Sequence, residues 1–225
     1  MFKSFINLLF PNCCPACDNA LTNPKDFICT FCRFHLPKTN FHPHKINPVS
    51  KKFDGRINVH SATSFLYYIK GGLSQGLIWN LKYNGRKDVG IYLGELYGYD
   101  LMETDLYNTV DVIIPIPLHK DKYRKRGYNQ SEQFAEGLSK TMNKPTDFST
   151  TVKTISTTTQ TTKRRYERWK NVENKFVVND LELFRGKHIL LVDDVVTTGS
   201  TLEAAAIALA MVQDIKISIA TIACA

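Results

Sequence analysis

From about residue 60 the apolar positions switch repeatedly between two spacings. "HSATSFLYYI" (60–69) is β-branched and aromatic and predicts a strand. "GLSQGLIWNLKY" (72–83) places Leu73, Leu77, Ile78 and Leu81 at helical spacing, and "VGIYLGELYGYDLME" (89–103) repeats it. "DVIIPIPL" (111–118) reads as a short buried strand ended by prolines, and "NQSEQFAEGLSKTM" (129–142) as a helix. "KHILLVDD" (187–194), "TLEAAAIALAMVQ" (201–213) and "IKISIATIACA" (215–225) predict strand, helix and strand. The Thr-rich "STTVKTISTTTQ" (149–160) alternates partially and is expected to be extended. Strands alternating with helices imply an α/β fold: a mostly parallel sheet flanked by helices, with ligands beyond the carboxyl ends of the strands. Residues 1–45 have no such period and are rich in Cys, Pro and His. They are expected to form a small unit of their own, with 41–58 as a linker or excursion and 46–225 as the main domain.

Composition narrows the picture modestly. At 225 residues there is room for one sizeable core and a small extra module. The chain carries 29 Lys and Arg against 21 Asp and Glu, a net +8 that favours polyanionic partners. No apolar run approaches the roughly 20 residues of a membrane helix. "MFKSFINLLF" lacks a small-residue cleavage site, so a cytoplasmic location is expected.

The chemistry is concentrated where the strand 189–192 runs into Asp193 and Asp194 and then Val195, Val196, Thr197, Thr198, Gly199, Ser200 and Thr201. A helix starting near Ser200 offers free backbone N–H groups and the positive end of its dipole. Gly199 allows close approach of the backbone or a positive φ. The hydroxyls of Thr197, Thr198, Ser200 and Thr201 add donors, which makes this turn a phosphate cradle. Two carboxylates repel a phosphate; they suit sugar hydroxyls, a cation or a developing positive charge. Together these features describe a phosphorylated sugar losing a leaving group at its anomeric carbon. The alternative is a strand–turn–helix whose acids merely cap and solvate. A Walker loop is excluded, because no GxxxxGK[ST] is present.

"LLVDDVVTTGST" resembles the phosphoribosyl-pyrophosphate (PRPP) signature of type I phosphoribosyltransferases: an apolar strand, two acids, then VxTTGxT. "DVIIPIPLHKDKYRKRGYNQSEQFAEGLS" is similar to the "VPVPL…RGFNQ…LA" segment of the ComF family, and "QTTKRRYERWKNVENKF" to its "Q…L…R…N…F" segment. A Cys-rich start and the Lys82-containing "LIWNLKYNGRKDVG" complete that layout. The resemblance implies a type I phosphoribosyltransferase fold with an N-terminal zinc-ribbon-like module. It implies magnesium-bound PRPP with its 5′-phosphate on Val196 to Thr201 and its ribose hydroxyls on Asp193 and Asp194. Those carboxylates are the expected catalytic residues, stabilising an oxocarbenium-like transition state. Pyrophosphate is expected at the turn Pro115, Ile116 and Pro117, under a mobile basic flap including Lys120, Arg124, Arg126 and Gln130. Some ComF proteins act in natural competence, so single-stranded DNA and DNA-uptake proteins are implied partners. No acceptor signature is visible. A non-catalytic reading, single-stranded DNA binding or PRPP sensing on the same fold, stands beside the enzyme.

Two further constellations have competing explanations. Cys14-x2-Cys17 and Cys29-x2-Cys32, with 11 residues between the pairs, suit tetrahedral thiolate binding of structural zinc. A redox dithiol or scattered buried thiols are the alternatives, and Cys13 competes with Cys14; the family's "CPxC" favours Cys14. The basic run His119, Lys120, Lys122, Arg124, Lys125 and Arg126 suits pyrophosphate or, with Tyr123 and Tyr128, a nucleic-acid backbone. It also suits a solvated charged loop. "KRRYERWKNVENKF", with Arg164, Arg165, Tyr166, Arg168 and Trp169, divides between nucleic-acid contact, substrate contact and packing on the sheet. Lys82 either reaches phosphate or snorkels at the surface.

Overall fold

A computed structural model of the chain describes residues 12–23, 25–148, 176 and 182–225. The Thr-rich 149–160 and, apart from Phe176, the basic–aromatic 163–176 lie outside the described residues, as does the start 1–11. Four strands, β1 (Ser61–Tyr67), β2 (Val112–Pro115), β3 (His188–Val196) and β4 (Lys216–Cys224), form one parallel sheet in the order β1-β4-β3-β2. Among the described residues the helices are α1 (Thr30–Phe34), α2 (Leu73–Tyr83), α3 (Lys87–Met102), α4 (Lys120–Arg126), α5 (Gln130–Met142) and α6 (Ser200–Leu209).

The near-continuous apolar run of β3 is explained by burial on both faces. Leu190 and Val192 pack with α2, α3 and α5, whereas Ile189 and Leu191 pack with α6. The same alternation carries Asp194 onto the α2 and α5 side. That face is drawn tight where α3 and α5 cross. A Cβ on Gly94 would run into the Phe134 carbonyl, and one on Gly137 into that of Ile91. This close contact fixes the start of α5 over the end of β3.

The structure selects one alternative and adds detail to other expectations. Residues 41–58 are an excursion that packs rather than a free linker: Val49 and Phe53 are fully buried beside α6. Within the basic segment after β2, expected to act as a flap, residues 120–126 form a two-turn helix, α4. His119 caps its start, accepting from the Asp121 N–H, and Gly127 at φ 80° ends it. None of its residues is buried, so no apolar period announced it. α6 stops at Leu209 rather than near 213, since the chain must turn through Asp214 (φ 57°) to enter β4. The Cys-rich segment shares the main core: Cys14, Ala16, Ile28, Cys32 and Leu36 are buried with the α2–α3 face.

Candidate functional site

The carboxyl ends of β2 and β3 open into a cleft of about 670 Å³. Ile116 extends the β2–β3 pairing, its N–H donating to the Val192 carbonyl at 2.8 Å, and with Pro117 it walls the cleft. Pro115 is the buried last residue of β2. Asn129 caps α5, its side chain accepting from the Ser131 N–H at 3.1 Å and donating to the Ile116 carbonyl at 2.9 Å. That pair of bonds ties the start of α5 to the turn after β2.

The two acids are held differently. Asp193 Oδ1 accepts from Ser131 Oγ at 2.9 Å and from the Asp194 N–H at 2.8 Å. Asp194 is buried, and its Oδ2 accepts from Gln130 Nε2 at 2.5 Å and meets Lys82 Nζ at 3.0 Å. Burial, and then the neighbouring Asp194 charge, push Asp193 up to about 7; the Asp194 N–H, the Ser131 hydroxyl and Lys82 offset only part of this. The Lys82 question is thereby answered: it is an acid's counterion inside the cleft. Lys122, Lys125 and Arg126 of α4 line the same cleft. Lys120 and Arg124 are exposed and do not line the cleft. The Arg126 guanidinium lies 5.8 Å from the centre of the Tyr83 ring, and its Nη1 is buried with no hydrogen-bond partner among the described residues. The cleft thus carries both charges: carboxyls from the end of β3, one paired with Lys82, and cations from α4.

A smaller hollow of about 40 Å³ adjoins it, walled by Asp193 and Val195 to Leu202. Gly199 sits at φ 79° before α6, in the left-handed region where glycine is favoured. Thr197, Thr198, Ser200 and Thr201 are exposed around it, while Val196 and Gly199 are buried. Thr198 Oγ1 and Ser200 Oγ are 3.0 Å apart. The turn is braced from behind by Arg56. Its Nη1 donates to the Thr198 carbonyl at 3.0 Å and the Lys52 carbonyl at 2.9 Å, and its guanidinium pairs with Glu203. Sequence reading missed Arg56 and Ser131; Arg56 is a single cation 142 residues before the loop it supports.

Away from the cleft, the Sγ atoms of Cys14, Cys17, Cys29 and Cys32 all lie within 4.8 Å of one another. Tetrahedral zinc–thiolate bonds of about 2.3 Å imply sulfur–sulfur edges of about 3.8 Å, and Cys17 and Cys29 stand 3.8 Å apart. These four thiols can hold a structural metal ion. Cys13 stands outside the group, its backbone bridging to Ala20.

Residues 129–224 match the phosphoribosyl transferase domain family. The chain is 34% identical to DNA utilization protein YhgH of Shigella flexneri over 129 residues, 56% of each chain, and 33% identical to YhgH of Escherichia coli over the same length. It is 36% identical to competence protein F of Haemophilus influenzae over 106 residues, 46% of this chain and 45% of that one. Parallel sheet, acid pair and Thr-Gly turn thus belong to a phosphoribosyl transferase domain. Within that class, the proteins it is similar to over about half its length are DNA utilization and competence proteins. It spans about half the length of the curated relatives it matches. Among the described residues, no helix is long and apolar enough to cross a membrane.

Proposed function

We propose that the cleft binds PRPP and serves phosphoribosyl transfer. The observation that carries this reading is the gathering of unlike charges in one cavity: Asp193 and Asp194 beside the Thr197–Thr201 turn, with Lys122, Lys125 and Arg126 lining the same cleft. On this reading the 5′-phosphate takes the small hollow, bound by the first-turn N–H groups of α6 and the Thr and Ser hydroxyls. The ribose hydroxyls donate to the acid pair. The diphosphate lies toward Ile116 and Pro117, where the partnerless Nη1 of Arg126 finds its acceptor. Magnesium carried by the diphosphate supplies further neutralisation of the leaving group. The carboxylates oppose the positive charge that grows on the ring as the glycosidic bond stretches, in a position fixed before the reaction begins. In the same spirit we propose that the four thiols hold zinc and that residues 1–45 form its module. The test is pyrophosphate release from PRPP across a panel of bases, amines and oligonucleotides. Release that depends on one acceptor class supports transfer. Binding without release under every acceptor reduces the protein to a PRPP sensor.

A second reading uses α4. Among the described residues, Lys120, Lys122, Arg124 and Lys125 form no ion pair, and Tyr123 is exposed beside them. Unpaired cations with an exposed ring suit a single-stranded nucleic acid backbone. Two relatives are named for DNA utilization and one for competence, which agrees with a competence-related role. Affinity for a labelled single strand should fall steeply with salt; a flat dependence removes this reading.

A further inference from the structure

Gln130 is the first residue of α5, is 5% exposed, and forms part of the cleft wall. Its two amide atoms have opposite fates. Nε2 donates to Asp194 Oδ2 at 2.5 Å, whereas Oε1 is buried with no hydrogen-bond partner among the described residues. The orientation is dictated by chemistry. Oδ2 is also the oxygen that Lys82 meets at 3.0 Å, so it belongs to a carboxylate paired with an ammonium. An amide oxygen turned toward it would meet another acceptor, so the amide must present its NH2 there and its carbonyl elsewhere. Lys82 thereby settles which way Gln130 points. A buried amide oxygen without a donor costs about 1–3 kcal/mol. Gln130 forms part of the cleft wall, so a ligand bound there can supply the missing donor without disturbing the Nε2–Asp194 bond.

We infer that Gln130 is a specificity-determining residue of this cleft, whose Oε1 accepts a hydrogen bond from one hydroxyl of a ribose phosphate while the adjacent hydroxyl donates to Asp194. The inference rests on the phosphoribosyl reading and deepens it. Lys82 is a positioning residue: it pairs with Asp194 and orients Gln130, and it leaves phosphate binding to the Thr197–Thr201 turn and α4. The pair of acceptors, one charged and one neutral, reads a vicinal diol. A sugar lacking one hydroxyl leaves one of them without a donor.

The experiment is calorimetry on the full chain with ribose 5-phosphate, 2-deoxyribose 5-phosphate, 3-deoxyribose 5-phosphate and inorganic phosphate. Wild type is compared with Gln130→Met, which keeps length and helix propensity, and with Gln130→Ala. Wild type is expected to favour ribose 5-phosphate over at least one deoxy sugar by about tenfold or more. Both variants are expected to bind that deoxy sugar as wild type does, to shrink the preference to under about threefold, and to bind inorganic phosphate unchanged. A preference that survives in both variants overturns the inference. So does its loss together with an equal loss of phosphate affinity, which marks local collapse. Wild type that binds inorganic phosphate but no sugar phosphate ends the phosphoribosyl reading itself, and the inference falls with it.

Discussion

The ring of Phe53 closes on Gly199: a Cβ at that glycine would stand 2.8 Å from Phe53 Cε1. Phe53 is fully buried, and Gly199 lies at φ 79°. The Thr-Gly turn is therefore moulded on an aromatic from the 41–58 excursion, and Gly199→Ala meets two obstacles, backbone strain and a ring with little room to retreat. Gly199→Ala is expected to destabilise the fold by about 1–3 kcal/mol and to abolish phosphate binding. Thermal melting and phosphate titration check it. A variant as stable as wild type that still binds phosphate would show the turn to be plastic.

Asp193 gives stability a pH dependence of definite sign. Its folded value of about 7 lies above the ordinary 3.8, because of burial and then the Asp194 charge. The folded chain therefore holds this proton more tightly than the unfolded chain. The contribution is full below about pH 4 and is lost as pH rises through about 7. Asp193→Asn removes the titration, so its melting temperature should gain on wild type between pH 5 and pH 8, by the equivalent of about 1–3 kcal/mol. A gap that stays constant over that range contradicts the raised value. The same variant should bind ribose phosphates less well, since stability and function oppose one another at this carboxyl.

At the cysteine cluster, Cys17→Ser or Cys29→Ser is expected to lower stability by several kcal/mol if metal is bound there, and Cys13→Ser by little. Thiol alkylation should spare Cys14, Cys17, Cys29 and Cys32 until a chelator is added. Equal labelling of all cysteines in untreated protein would overturn the zinc assignment. Because Cys14 and Cys32 sit in the core beneath α2 and α3, loss of metal should also loosen the main body. Hydrogen exchange in α2 would report that loosening.

Arg126 has a guanidinium nitrogen without a partner in a cleft that also holds two acids. Arg126→Met is expected to weaken pyrophosphate binding by about tenfold to a hundredfold, the range for a charge-assisted hydrogen bond. Arg124→Met, which does not line the cleft, should change it by less than about threefold. Equal effects at the two positions would mean that only net charge matters.

How much of this was legible in the sequence follows from distance along the chain. Strand, acid pair and Thr-Gly turn are contiguous from 189 to 201, so their apposition needs no tertiary knowledge. The alternating strands and helices likewise declared the sheet through their own periods. Lys82 and Gln130 became partners of Asp194 only because α2 and α5 lie on the face that its position in β3 selects. Arg56 and Phe53 were hidden for a similar reason: the excursion folds back across more than a hundred residues to hold the loop. α4 escaped notice because a helix without a buried face leaves no hydrophobic period. The choice between Cys13 and Cys14 was a question of which neighbouring sulfur turns inward, and spacing alone leaves both open.

The most direct test of the whole account is calorimetric titration of the full chain with PRPP and magnesium, beside the Asp193→Ala/Asp194→Ala double variant. The account predicts saturable one-site binding in wild type and at least a hundredfold weaker binding in the double variant, about 2.7 kcal/mol. Absence of binding in wild type, or equal affinity with both carboxyls removed, would contradict it.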